Sequence, residues 1–272
     1  MNSLCANCQK ELHGKYCSHC GERVLDPEQR SIKFLLGMFT EEITSVNGKL
    51  ILTLRRFFTM PGQQCLDFHL GIRKKYLSLF TLFFLFNIVY FFFSPMSDFN
   101  LSLREQLGQM HKPLIEGTVK DYLAAKNLTL EELGKQYSQI SELVAKSIII
   151  ISVPFLALLI WPLNARRGYY LQDHVIYSLN LYCFIMIFPI ILRGIFVFFD
   201  WLLGDLMKDY FLVYINTLLI EIVIFIWGSH QRTYQTKHWH TALLMIPIVI
   251  ALFFSHMGYR FVQFWATWVQ IT

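Results

Sequence analysis

The sequence predicts an all-α polytopic integral membrane protein of about five transmembrane helices, with a small four-cysteine ribbon at its N-terminus. Three observations predict it. The chain is 54% hydrophobic and only 16% charged, well below the roughly 25% charge of soluble globular domains. Its 25 Phe, 13 Tyr and 6 Trp fall in long blocks nearly free of charge. Four of its six cysteines lie at the extreme N-terminus. Together these exclude a soluble single-domain enzyme, an intrinsically disordered chain, a collagen-like repeat and a disulfide scaffold.

The ribbon, residues 1–25, carries Cys5-x-x-Cys8 and Cys17-x-x-Cys20-Gly21. Each pair can form a tight knuckle, and two knuckles complete the closed four-thiolate site typical of structural zinc. His13-Gly14 is the expected turn between them. The stretch Met1 to Arg30 is polar with no apolar core, so the reading includes no secretory signal peptide and places the thiols in a reducing compartment. A closed shell leaves no position for substrate, so a structural zinc ion and no catalysis are expected here. So small a module lacks a core of its own, and the metal must supply its folding free energy. Lys10, Lys15 and Arg23 are opposed by Glu11 and Glu22, a poor footprint for nucleic acid; none is expected as a partner.

Residues 31–62 read as amphipathic interfacial helices. Ile32, Leu35, Leu36, Phe39, Ile43 and Val46 form one helical stripe, and Leu50, Ile51, Leu54, Phe57 and Phe58 a second, before Pro61-Gly62 ends the pattern. Two placements fit: in the headgroup layer with Arg55 and Arg56 toward anionic lipid, or against the cytosolic ends of the spans. Cys65, just before the first span, is a candidate for reversible acylation.

Five spans are expected: residues 76–94, 147–163, 174–199, 210–227 and 239–259, the last four within residues 147–272. The third contains Pro189 and Arg193 and is expected to tilt or kink. Trp161, Trp201, Trp227, Trp239, Trp265 and Trp268 fall near span ends, where an aromatic belt places them. Arg55, Arg56, Arg73, Lys74 and Lys75 precede the first span, Arg166 and Arg167 follow the second, and Arg232 and Lys237 follow the fourth. Asp200, Asp205 and Asp209 against Lys208 follow the third. The positive-inside rule then puts the protein in the cytoplasmic (inner) membrane, N-terminus cytosolic and C-terminus outside.

The external loop, residues 95–146, is expected to fold as a helical cap. Thr129 and Glu132 are spaced as a capping box. Leu133, Tyr137, Ile140 and Val144 then continue one helix from Leu130 to about Trp161, bent at Pro154. Val119, Tyr122 and Leu123 suggest a shorter helix packed on it.

Among polar groups at depth, Glu221 lies about 9 Å from the expected cytosolic end of its span at 1.5 Å per residue. Asn180 and Tyr177 are expected at the same depth, either as its hydrogen-bond partners or as parts of a protonatable transport path. Arg193 is expected near the opposite face. His174, His230, His238 and His240 gather near one membrane face without helical i, i+4 spacing between them, so interfacial hydrogen bonding is favoured over metal binding. Cys183 reads as buried apolar filler.

The run Thr53-Leu54-x-x-Phe57-Phe58-x-x-Pro61-Gly62, followed by Gly71-x-Arg73-Lys74-Lys75-Tyr76 at the first span, resembles an uncharacterised bacterial membrane family. That family, a domain of unknown function, carries an N-terminal four-cysteine ribbon. The likeness covers most of residues 5–94. The five-span topology is similar to that of the Yip family of membrane-trafficking proteins, which implies an adaptor-like role. The functional expectation is a non-enzymatic membrane adaptor or scaffold whose ribbon recruits a cytosolic protein or self-associates beside the bilayer. The alternative is a small transporter or channel using Glu221 and Asn180. An intramembrane or lipid-modifying enzyme has the four histidines as its sole support.

Overall fold

The computed structural model describes residues 4–5, 8–11, 14, 16–20, 48–93, 99–165, 168–203 and 211–272. The first amphipathic stripe (31–47), His13, Lys15, Gly21, Glu22, Arg23, Arg166, Arg167, Asp205, Lys208 and Asp209 lie outside them. The described residues are helical apart from turns, connecting segments and isolated bridging residues in the ribbon, of which Leu4 and Glu11 pair antiparallel. The chain divides into two compact units, Met1–Leu52 and Thr53–Thr272.

The second unit opens with a helical run at residues 53–59 and a short helix α1 (Gln63–His69). The apolar α2 (Leu79–Phe93) follows, then α3 (Leu103–Gln106) and α4 (Lys112–Lys126). Next come α5 (Leu130–Ile148), α6 (Ser152–Ile160), α7 (Leu171–Leu203), α8 (Phe211–Tyr234) and α9 (His238–Ile271). Among the described residues four segments are long and apolar enough to cross a membrane: Leu130–Ile160, Leu171–Leu202, Leu212–Tyr234 and His238–Ile271. The helix of the expected first span, α2, starts at Leu79 rather than Tyr76 and covers 15 described residues up to Phe93, after which residues 94–98 lie outside the described ones.

In the core α7 packs against α2, α6 and α8, and α9 packs against α6 and α8. Leu82, Phe83, Leu156, Leu179, Tyr182 and Met186 are among its fully buried members. α7 and α8 run antiparallel, with Phe184 stacked on Phe225 at 3.9 Å between centroids. α7 continues through Pro189, whose carbonyl accepts a hydrogen bond from Tyr214 (3.2 Å).

The expected helix from Leu130 to about Trp161 is present as one helical segment, Leu130–Ile160, with a local irregularity before Pro154. A 3₁₀ turn at Ile149–Ile151 separates α5 from α6. Pro154 lacks an N–H and its ring crowds the carbonyl four residues earlier, so the disruption falls on the turn before it. The capping box is formed: Glu132 N donates to Thr129 Oγ1 (3.3 Å), and Glu132 Oε2 accepts from Thr129 N (2.8 Å).

α9 is longer than its expected span. At 34 residues it measures roughly 51 Å, some 20 Å more than a hydrocarbon layer requires. The excess forms the floor of the cap. Phe264 and Trp268 are buried with Leu103, Ile115, Leu133 and Tyr137, and Trp265 packs against the same cluster. Trp265 and Trp268 are thus cap-core residues rather than members of an aromatic belt.

Candidate metal centre and buried polar groups

In the first unit Cys5, Cys8, Cys17 and Cys20 converge, their sulfurs all within 4.8 Å of one another. The first knuckle closes through Cys5 N to Lys10 O (2.8 Å) and Gln9 N to Cys5 O (3.0 Å). Gln9 takes a left-handed φ of 57° to make the turn. Cys5 lies 3.6 Å from Cys20 and Cys8 lies 3.6 Å from Cys17, sulfur to sulfur. A tetrahedral ion with metal–sulfur bonds of about 2.3 Å spaces its ligands by about 3.8 Å, so the four residues fit such an ion.

The electrostatics divide the thiols. The backbone N–H groups of Cys20 and His19 stabilise the Cys17 thiolate and bring that thiol down to about 6. At Cys8 a backbone hydrogen bond from Lys10 acts in the same direction. Desolvation and the neighbouring thiols outweigh it and push Cys8 up to about 12. Four thiolates this close repel one another, and a bound cation removes that cost. Among the described residues no other group of three or more His, Cys, Asp or Glu side chains is placed to hold a metal.

In the second unit the segment from Thr53 to Tyr76 docks on the ends of α7 and α8. Phe57 is buried against Phe86 and Phe225. Thr53 O accepts from Gln64 Nε2 (2.7 Å), and Thr53 Oγ1 accepts from Leu77 N (3.0 Å). Pro61 O accepts from Arg232 (3.1 Å). Gly62, at φ 81°, lies against α8 so closely that a Cβ would meet Ser229 O at 2.4 Å. Tyr76 donates to Asp67 (2.7 Å), and Lys75 lies 3.6 Å from the same carboxylate. Of the second stripe, Phe57 is buried and Leu54 packs on the core, while Ile51 and Phe58 are exposed.

The basic residues divide by environment. Arg55 and Lys74 are exposed. Arg56 bonds to Met60 Sδ, Arg73 stacks over Phe68 at 4.6 Å, and Lys75 is taken up by Asp67. Cys65 is buried, its thiol pushed up to about 12 chiefly by desolvation, so the segment does not offer it for acylation. Cys183 is buried in the core.

The expected common depth of Glu221, Asn180 and Tyr177 is not observed. Tyr177 lies beside Ser229, 3.4 Å between hydroxyl oxygens. Ser229 is eight residues from Glu221, about 12 Å along the axis. The cause is the length of α8. It continues seven residues past Trp227, through Gly228–Tyr234, so depths counted from Trp227 are displaced by about 10 Å. Glu221 is half-buried. Asn180 is buried and its Nδ2 has no partner among the described residues. Arg193 acts electrostatically on Tyr214, near the start of α8.

Around Tyr177 the helix ends form a buried polar cluster that periodicity did not reveal. His174 Nδ1 is 2.7 Å from Tyr234 OH. His230 Nε2 is 2.8 Å from Asn164 Oδ1, and His69 Nδ1 is 3.3 Å from Asp173 Oδ2. Asp173 Oδ1, His174 Nε2 and Ser178 Oγ are buried without a hydrogen-bond partner among the described residues. The sequence signal was the i, i+4 pairs Ser229/Thr233 and His230/Tyr234, which place polar groups on two inward faces of α8. His238 bonds to Gln231 (2.6 Å) and stacks on Trp227, away from His174 and His230.

No protein-family model matches the chain, and neither a curated protein nor a solved structure matches it.

Proposed function

We propose that the protein is a non-enzymatic integral adaptor or scaffold of the cytoplasmic membrane. Its zinc ribbon, on the cytosolic side, recruits a protein partner or a second copy of the chain. The convergence of four sulfurs within 4.8 Å carries this reading. It supports a closed, structural metal site, in a unit distinct from the helical bundle, with no open coordination position for chemistry. The sidedness rests on the charge asymmetry of the loops.

The test is crosslinking in the native membrane. The intact protein is compared with a variant carrying Ser at positions 5, 8, 17 and 20, matched for membrane insertion. A crosslinked partner or homodimer that requires the intact ribbon supports the reading. Identical crosslinks in both contradict it.

A second reading, a small transporter or channel, draws on a specific observation. Asp173, His174, Ser178 and Asn180 each bury a polar atom without a hydrogen-bond partner among the described residues, which fits a path holding water or a cation. Under it Asn180→Leu abolishes a flux measured in proteoliposomes; a flux unchanged by that substitution removes the residue from the path.

A further inference from the structure

A cavity of about 230 Å³ opens where α1, the loop after it and the first turn of α2 meet α7. We infer that it is a binding site for the headgroup of an anionic glycerophospholipid of the phosphatidylglycerol class. The inference rests on the membrane-spanning reading of the bundle and not on the ribbon.

Four features of the cavity match the parts of such a lipid. Its wall includes Arg73, exposed and held in orientation by stacking over Phe68. Arg73 and its neighbour Lys74 form no ion pair among the described residues, whereas Lys75 is occupied by Asp67. The planar guanidinium suits two oxygens of a phosphodiester.

The second feature is the start of α2. Thr81 N bonds to Ser78 Oγ (3.1 Å) and Leu82 N to Ser78 O (3.0 Å). Leu79 and Phe80 carry the first-turn N–H groups that a helix leaves unpaired. Both residues line the cavity, so phosphate there meets N–H donors and the positive end of the helix dipole.

Gln64 supplies the third. It lines the same cavity and is only 5% exposed. Its Nε2 is committed to Thr53 O, while its Oε1 has no partner among the described residues. A buried acceptor beside a phosphate position calls for a ligand that also donates, as the hydroxyls of a glycerol headgroup do and a choline headgroup does not.

The fourth is an apolar track. Phe80, Phe84 and Ile88 are exposed at i, i+4 and i+8 along α2, on one helix face, so acyl chains continue from the cavity along that stripe. The volume is smaller than the roughly 300–1,000 Å³ of drug-sized ligand sites. That suits a headgroup whose chains lie outside.

The full-length protein in detergent is titrated with palmitoyl-oleoyl phosphatidylglycerol or the matching phosphatidylcholine, and bound lipid is counted by native mass spectrometry. Phosphatidylglycerol is expected to bind preferentially. Arg73→Gln is expected to weaken it about tenfold, and Arg104→Gln in the cap to leave it unchanged. Inorganic phosphate in excess is expected not to displace it. Equal binding of the two lipids, full binding by Arg73→Gln, or displacement by phosphate alone would overturn the lipid assignment. Lipid co-purified with the wild-type chain gives a measurement independent of any variant. Enrichment of phosphatidylglycerol over the bulk membrane supports the site, and its absence counts against it.

Discussion

Tyr177 and Ser229 face each other across α7 and α8 with their hydroxyl oxygens 3.4 Å apart, and this pair marks the register of the polar end of the bundle. It makes a direct prediction about coupling. In a double-mutant cycle on thermal unfolding in detergent, Tyr177→Phe and Ser229→Ala should be coupled by about 0.5–1.5 kcal/mol. Tyr177→Phe and Glu221→Gln should be additive within about 0.5 kcal/mol. Coupling to Glu221 instead would restore the depth expected from the span boundaries and contradict the register.

Gly62 carries the docking of the segment before α2. An added Cβ would lie 2.4 Å from Ser229 O and 2.8 Å from Thr233 Oγ1, at a φ of 81°. Gly62→Ala should destabilise the bundle by about 3 kcal/mol, because strain and overlap act together. Thermal unfolding in detergent reads this; a loss below about 0.5 kcal/mol would mean the segment is not docked as described.

The cap should depend on the far end of α9. Phe264 is fully buried beside Tyr137 and Trp268. Phe264→Ala should cost about 3–5 kcal/mol, and limited proteolysis should then cut within α4 first. Unchanged protection of α4 would show that the cap stands without α9.

Acid should loosen the same contact. His111 is buried against Gln106 (2.9 Å), and burial, then the Arg260 charge, lower its pKa from 6.5. A lowered folded-state value favours the neutral ring. The stability is fully present above the unfolded value of about 6.5 and is lost as pH falls through the folded one. Between neutral and mildly acidic pH the wild-type Tm should therefore fall more than that of His111→Gln. Equal falls would remove His111 as the cause.

Local patterns carried across from sequence to structure, while element ends did not. Thr129 and Glu132 form their capping box because both partners lie within one turn, and the two Cys-x-x-Cys pairs converge because each knuckle is a local turn. Trp227 resembled a span end because Ser229, His230, Gln231 and Arg232 follow it. Those residues stay helical because Pro61, Gly62 and Asn164, distant in sequence, supply their partners. Trp265 and Trp268 resembled belt residues because nothing near them announces the cap helices that cover them. The start of α2 at Leu79 rather than Tyr76 was hidden for the converse reason: Tyr76 is apolar in composition but belongs to the docking loop, bonded to Asp67.

The central claim, a metal-closed ribbon on the cytosolic side of a membrane bundle, is tested most directly by thiol labelling in sealed vesicles. Inside-out and right-side-out vesicles are treated with a membrane-impermeant maleimide, with and without a zinc chelator. Cys65 and Cys183 are buried and contribute little background. The account predicts that Cys5, Cys8, Cys17 and Cys20 are labelled only in inside-out vesicles, and only once the chelator is present. Labelling in right-side-out vesicles would contradict the sidedness, and full labelling without chelator would contradict the metal.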